Sequence, residues 1–288
     1  MKFHRIYVEV TNICGLKCTF CPTQSLPSTT MDLDFFQQVI SECSRYTKEI
    51  ACHIMGDPMV LSNLKEYLDI LDRYKLKALI TTSGFYIQNH KLEDIFHPAL
   101  KQINISLNSY NKNNSPLSLD EYIEPILKMC RYKLDNGIDS FINLRLWNID
   151  KELSEDEYNS RVFELLESFF DIKLDRKSIY NQNSIRIEDK IKLHFDNYFE
   201  WPSLANPIYG DGRCLGLNSH IGILSNGVVV PCCLDDKGII ELGNIKNTPL
   251  KEILHSKRAT DMRVGFQNSK AVEELCQRCS YKERFDTR

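Results

Sequence analysis

The sequence lacks any strong imbalance of charge: among 288 residues, 36 basic side chains face 39 acidic ones, for a net charge of −3. That balance excludes the electrostatic footprint of a nucleic-acid binder or of a protein held on an anionic membrane. No apolar stretch approaches the roughly 20 residues of a membrane span. Residues 1–10 carry no charged start followed by a long apolar run, so no signal peptide is expected. Internal repeats and long low-complexity tracts are also missing, and the length allows one large domain or a large and a small one. Cysteine, by contrast, is abundant. Eleven cysteines without an export signal point to a reducing compartment, where clustered thiols more often hold metal than form disulfides. The expected location is the cytoplasm.

Cys14, Cys18 and Cys21 read C-x-x-x-C-x-x-C within Thr11-Asn-Ile-Cys-Gly-Leu-Lys-Cys-Thr-Phe-Cys-Pro22. Three thiolates on one loop are one short of the four that complete a cubane cluster, so one iron is left open for chemistry. A zinc knuckle or a redox cysteine group is the competing reading. Zinc, however, usually takes ligands in C-x(2–4)-C pairs and needs a fourth donor, which this loop lacks.

The first half of the chain alternates short apolar runs with segments of helical spacing. Strands are expected at Arg5–Val10, Glu49–Ile54, Lys77–Thr82, Gln102–Leu107 and Ser140–Trp147. Between them, apolar stripes such as Leu33, Phe36, Val39, Ile40 and Cys43 predict amphipathic helices. A further helix, carrying Val162, Leu165, Leu166 and Phe169, is expected to start at the capping box Ser154-x-x-Glu157. Five β-α steps argue for a parallel sheet covered by helices. Residues 171–200 break the rhythm, with Asn181–Ser184 reading as loop and Ile185–Phe195 as a last strand or a hairpin. From Trp201 the character changes to short strands and turns. Ser225-Asn-Gly227 predicts a hairpin with a type I′ turn. Thr248-Pro249 predicts an N-cap with proline in the first helical position, opening Leu250–His255. The Asn-rich stretch Asn108–Asn114 reads as a polar loop.

The tail holds a second cysteine group. Cys214, Cys232, Cys276 and Cys279 supply four thiolates, enough to saturate a cluster, or a zinc ribbon of the same ligand type. Cys232 and Cys233 are neighbours on an expected strand, so only one should reach the metal, and Cys232 is the expected ligand. Cys43, Cys52 and Cys130 lie in apolar patterns and are expected to be inert core residues.

The N-terminal motif, with Phe20 before its third cysteine, resembles that of the radical S-adenosylmethionine superfamily. The tail, with Gly227 five positions before Cys232 and a final C-x-x-C, resembles the SPASM extension in its single-cluster form, called twitch. The resemblance implies a partial (β/α)6 barrel over residues 1–200 and a small cysteine-rich iron–sulfur domain over 201–288. It implies a [4Fe-4S] cluster on Cys14, Cys18 and Cys21 that binds S-adenosylmethionine, and one auxiliary [4Fe-4S] cluster on Cys214, Cys232, Cys276 and Cys279. In this family the open iron chelates the methionine end of S-adenosylmethionine, and reductive cleavage gives a 5′-deoxyadenosyl radical that abstracts a substrate hydrogen.

Cosubstrate contacts are sought at the carboxyl ends of the strands. Met55-Gly-Asp-Pro58 resembles the family's Gly-Gly-Glu-Pro motif, which places Gly56 and Asp57 near the methionine amino group. Thr82 and Ser83 resemble a Thr-Asn-Gly strand ending. Ser106 resembles the ribose contact, with Asn108 beside it, while Phe20 belongs to the cluster motif. Arg145, a charge inside an apolar run, needs a partner, and a methionine carboxylate is a suitable bidentate one. The resemblance further implies an oxidoreductase acting on a peptide or small molecule, with a flavodoxin- or ferredoxin-type electron donor. In that reading the auxiliary cluster accepts an electron from the substrate radical. A non-catalytic iron–sulfur or zinc metalloprotein, serving as electron carrier or interaction module, is the alternative.

Overall fold

The computed structural model describes residues 1–22, 26–149, 155–176 and 182–285. Strand β1 (Arg5–Val8) shows how the sheet is built: Ile6 and Val8 are fully buried on one face, while Arg5 and Tyr7 point to the other. Strands β2 (Glu49–Ala51), β3 (Lys77–Thr82), β4 (Leu100–Ser106) and β5 (Phe141–Leu146) follow, each parallel to its predecessor, and β5 repeats the alternation. Their outer faces, carrying Ile50, Ile80, Ile103, Ile142 and Leu144, pack under helices; their inner faces line a lumen.

The covering helices form where the apolar stripes were expected. Helix α1 (Leu33–Cys43) buries Phe36, Val39, Ile40 and Cys43, and Asp32 caps it through the Phe35 N–H at 2.8 Å. Helices α2 (Leu64–Arg73) and α4 (Leu119–Asp135) follow β2 and β4, while β3 leads only to the four-residue α3 (Leu92–Ile95). Ser118 and Glu121 form a capping box at the start of α4. Helix α5 (Asp156–Phe170) begins one residue after Glu155; the cap expected from Ser154 falls outside the described residues.

The break after residue 171 resolves as a hairpin. Strands β6 (Ser184–Glu188) and β7 (Ile191–Phe195) are antiparallel, and β7 adds a sixth parallel strand beside β5. Of the loop expected at 181–184, residue 181 lies outside the described residues and Ser184 opens β6. The barrel is therefore partial, as expected. The tail does not fold apart from it, because β8 (His220–Ile223) pairs in parallel with β1, matching Tyr7 to Gly222. Strands β9 (Val228–Val230) and β10 (Gly243–Asn244) then extend a single ten-stranded sheet.

Two local expectations are corrected. The β8–β9 hairpin exists, but a type I′ turn needs positive φ at both central residues, and here only Gly227 has it, at +93°. Instead the Gly227 N–H closes on the Leu224 carbonyl at 2.8 Å, leaving the Ser225 N–H free to reach elsewhere. Helix α6 (Leu250–Leu254) starts after Pro249, and Thr248 does not cap it. Its first N–H goes to the Glu42 carboxylate at 2.6 Å, so the cap comes from α1. Helices α7 (Lys257–Gln267) and α8 (Glu274–Gln277) follow, and a 3-10 helix over Ser280–Phe285 ends the described residues. No helix among the described residues is long and apolar enough to cross a membrane.

Glu9, just past β1, ties the two parts of the sheet at their upper edge. One carboxylate oxygen accepts from the Met55 N–H at 3.0 Å, the other from the Ser225 N–H and hydroxyl at 3.1 and 2.9 Å. Burial pushes its pKa up, and those three donors oppose the shift. Glu9→Ala strands them all inside the protein and should cost about 3 kcal/mol in urea unfolding. A loss below about 0.5 kcal/mol would show that this tie is dispensable.

Candidate active site

The loop carrying Cys14, Cys18 and Cys21 is held at its neck by its own backbone. Asn12 donates to the Pro27 carbonyl and accepts from the Thr29 N–H, both at 2.8 Å, and Thr11 bridges to Thr30. The turn after β2 packs directly onto this neck. A Cβ on Gly56 would stand 2.0 Å from the Thr11 carbonyl oxygen, so only glycine permits the approach. The next residue completes the brace, with the Asp57 N–H on the Ile13 carbonyl at 3.0 Å. Cys14 is half-buried, Cys18 buried and Cys21 exposed.

Three supports were not legible as such in the sequence. Tyr86 donates its hydroxyl to the Cys14 carbonyl at 2.6 Å. Asn113, within the stretch read as a polar loop, donates to the Cys18 sulfur at 3.0 Å and accepts from the Lys17 N–H at 2.8 Å. Phe20 stacks on Tyr198 with ring centroids 5.6 Å apart. The Cys18 thiol is drawn down by its hydrogen bonds with Cys21, Asn113 and Ser109, against the effect of burial. Its Cys21 partner is pushed up by that shared bond and by burial, while burial and then Asp57 push Cys14 up to about 12.

Asp57 itself is 2% exposed and fully engaged. It accepts from the Met59 N–H at 3.0 Å, the Thr82 hydroxyl at 2.9 Å, and the Ser83 N–H and hydroxyl at 2.8 Å each. Its carboxylate thus joins the ends of β2 and β3, leaving backbone rather than side chain to face a ligand. Thr82 and Ser83 spend their hydroxyls on the same carboxylate. Ser106 and Asn108 stand at the end of β4, with Arg145 paired in register with Ser106. The Arg145 guanidinium lies 4.5 Å from the Trp147 ring centroid and has no hydrogen bond or ion pair among the described residues. Burial lowers its pKa to about 10, which still leaves it charged near neutrality.

The second cysteine group faces the same lumen. Cys214, Cys232, Cys276 and Cys279 are half-buried and close enough for their charges to interact. Cys233 also lines this cavity, but it shares a hydrogen bond with the Tyr7 hydroxyl. Cys43, Cys52 and Cys130 are in the core, at most 1% exposed. All seven expected cluster ligands, and Phe20, Gly56, Asp57, Thr82, Ser83, Ser106, Asn108 and Arg145, line one cavity of about 480 Å³. Among the described residues no three His, Cys, Asp or Glu side chains converge tightly enough for a single metal ion.

With that geometry in place, comparison with known proteins gives the class. The Radical SAM superfamily model matches residues 8–156, and an iron-sulfur cluster-binding domain, SPASM, matches residues 214–280. The chain belongs to the radical S-adenosylmethionine superfamily and carries a SPASM domain. A [4Fe-4S] cluster and S-adenosylmethionine come with the first, an auxiliary iron–sulfur cluster with the second. No curated protein matches the chain by sequence. Among solved structures, BtrN in complex with AdoMet and 2-DOIA shares the fold at TM-score 0.63 and 16% identity, over 97% of this chain and 94% of its own. SuiB of Streptococcus suis, bound to the precursor peptide SuiA, gives 0.61 and 13% identity, over 99% and 73%. The enzyme anSMEcpe with bound AdoMet gives 0.58 and 12%, over 96% and 87%.

Gly56→Ala must push the β2 turn off the loop neck. The expected result is loss of about half the iron bound by the reconstituted chain, because the tail cysteines are untouched. Full iron content by colorimetric assay would show that the neck yields without cost.

Proposed function

We propose that the protein is a radical S-adenosylmethionine oxidoreductase of the cytoplasm, acting on a peptide or small molecule through a two-electron oxidation. The observation that carries this reading is the shared cavity: a saturated group of four thiols faces the same enclosed space as an unsaturated group of three. When bound, the cluster on Cys14, Cys18 and Cys21 and its S-adenosylmethionine supply a 5′-deoxyadenosyl radical. The chain's own residues orient and enclose. The Gly56–Asp57 backbone meets the methionine amino group, and Arg145 takes the carboxylate, the anion its unpaired guanidinium is missing. Thr82, Ser83, Ser106 and Asn108 bound the ribose side, while Phe20, stacked on Tyr198, flanks the cysteine loop. Residues 1–200 then form the cosubstrate core and 201–288 the auxiliary domain.

With both groups bound, Cys214, Cys232, Cys276 and Cys279 would hold an electron acceptor, so that a substrate losing one hydrogen atom to the radical would lose its second electron to the acceptor and a proton to solvent. A flavodoxin- or ferredoxin-type protein serves as electron donor. Four cysteine ligands leave no open iron for substrate, which favours electron transfer over substrate ligation at the auxiliary site. A single auxiliary cluster is favoured because the tail gathers four cysteines, while the fifth, Cys233, is hydrogen-bonded to Tyr7.

The test is 5′-deoxyadenosine formation from S-adenosylmethionine by anaerobically reconstituted protein with dithionite. Production that disappears in Cys18→Ala supports the reading. Fully loaded, reducible protein that forms none, with or without candidate substrates, would favour the non-catalytic alternative. Arg145→Met should weaken S-adenosylmethionine binding about tenfold or more, read by equilibrium dialysis. In the tail, Cys232→Ala should lose the auxiliary cluster and Cys233→Ala keep it; the reverse outcome would exchange the two assignments.

A further inference from the structure

Lys282 is a buried cation beside the tail cysteines. It is 3% exposed, and its ammonium donates to the carbonyls of Cys276, Gln277 and Cys279 at 3.1, 3.3 and 2.8 Å. The ring of Tyr209 covers it, with the centroid 5.8 Å from Nζ. Among the described residues its hydrogen-bond partners are neutral carbonyls, and no carboxylate is ion-paired with it. A lysine this deep normally has an anionic partner, because three carbonyl dipoles replace only part of its hydration.

The donor set around it supplies that anion. Four cysteine thiolates around an oxidised [4Fe-4S] core leave a net double negative charge, and one added electron makes it triple. Two of the three carbonyls that seat Lys282 belong to Cys276 and Cys279, so the ammonium is fixed to the ligand loop itself. A fixed cation stabilises the more negative reduced state over the oxidised one, and net local charge is a recognised lever on cluster potential.

We propose that Lys282 is a positioning residue that raises the reduction potential of the auxiliary cluster, making it a competent acceptor for the electron of the substrate radical. This rests on the reading of the tail as an electron-accepting cluster site. The electron arriving at the cluster is the one the substrate radical loses. The contribution of Lys282 is charge at a fixed place.

The experiment is an anaerobic redox titration of the reconstituted full chain, followed by electron paramagnetic resonance of the signal that S-adenosylmethionine leaves unchanged. Lys282→Gln and Lys282→Met should shift that midpoint to more negative potential at unchanged iron content. Lys282→Arg, which keeps the charge, should stay near the wild-type value. Equal midpoints across all four proteins would overturn the inference and leave the cluster reading intact. Failure of both neutral variants to hold the cluster, with Lys282→Arg loaded, would also overturn it by assigning the lysine to loop assembly. A wild-type chain whose tail takes up zinc and shows no second paramagnetic signal would overturn the cluster reading first, and the inference with it.

Discussion

The approach of Gly56 to the Thr11 carbonyl is the constraint on which the site depends. Two backbone segments from neighbouring strands meet with no side chain between them, and that contact fixes the angle at which the cysteine loop leaves β1. Asp57 then locks the same turn to the end of β3 through three accepted hydrogen bonds, with a fourth from the Met59 N–H of the turn itself. A buried carboxylate with that many donors is stable only while all of them stay in place, which makes the β1, β2 and β3 ends one rigid unit. The loop can therefore present three sulfurs on a preorganised mount, and preorganisation is what a reactive cofactor demands of its protein.

The second constraint is the continuity of the sheet. A separate tail domain could rock against the barrel, and the distance between the two cysteine groups would then vary. Pairing β8 with β1 over four residues removes that freedom, and Glu9 closes the seam at the edge nearest the cavity. The hairpin turn is shaped for this role: because Gly227 alone takes the left-handed conformation, the Ser225 N–H is spared from the hairpin and given to Glu9. A type I′ turn at this place would have spent its residues differently.

Much of the core was legible because it follows from period and end-chemistry. The apolar stripes of α1 and α4, the apolar run of β3 and the alternation in β5 carry a simple signal, and the three-cysteine spacing points to one kind of metal site. What stayed hidden depends on contacts far apart in the chain. Asn113 reaches Cys18 across 95 positions, and Glu42 caps α6 across 208. Asparagine in a loop and glutamate on a helix surface are ordinary in sequence, and only the fold brings them to a partner. The same holds for Glu9, whose neighbours in sequence give no hint that it meets Ser225. The pairing of β8 with β1 was invisible for a further reason: a short apolar hairpin suits a free-standing domain as well as it suits an edge of the barrel sheet.

The cavity's chemistry follows from which of its polar groups are already spent. Asp57, Thr82 and Ser83 satisfy one another, Asn143 donates to Asn104 at 3.1 Å, and Trp147 donates to His194 at 3.0 Å. These groups shape the wall and offer little further hydrogen bonding. Arg145, the Nε atom of Arg5 and the Nδ1 atom of His53 are among the exceptions, each without a hydrogen-bond partner among the described residues. Burial holds His53 neutral, with its pKa lowered to about 3, so its free nitrogen can offer only a neutral donor or acceptor. A lumen so largely self-satisfied binds by shape and by a few unspent groups. Selectivity for the substrate must then come from those groups and from the loop of Tyr198, Phe199 and Trp201 at its wall, rather than from a broad polar lining.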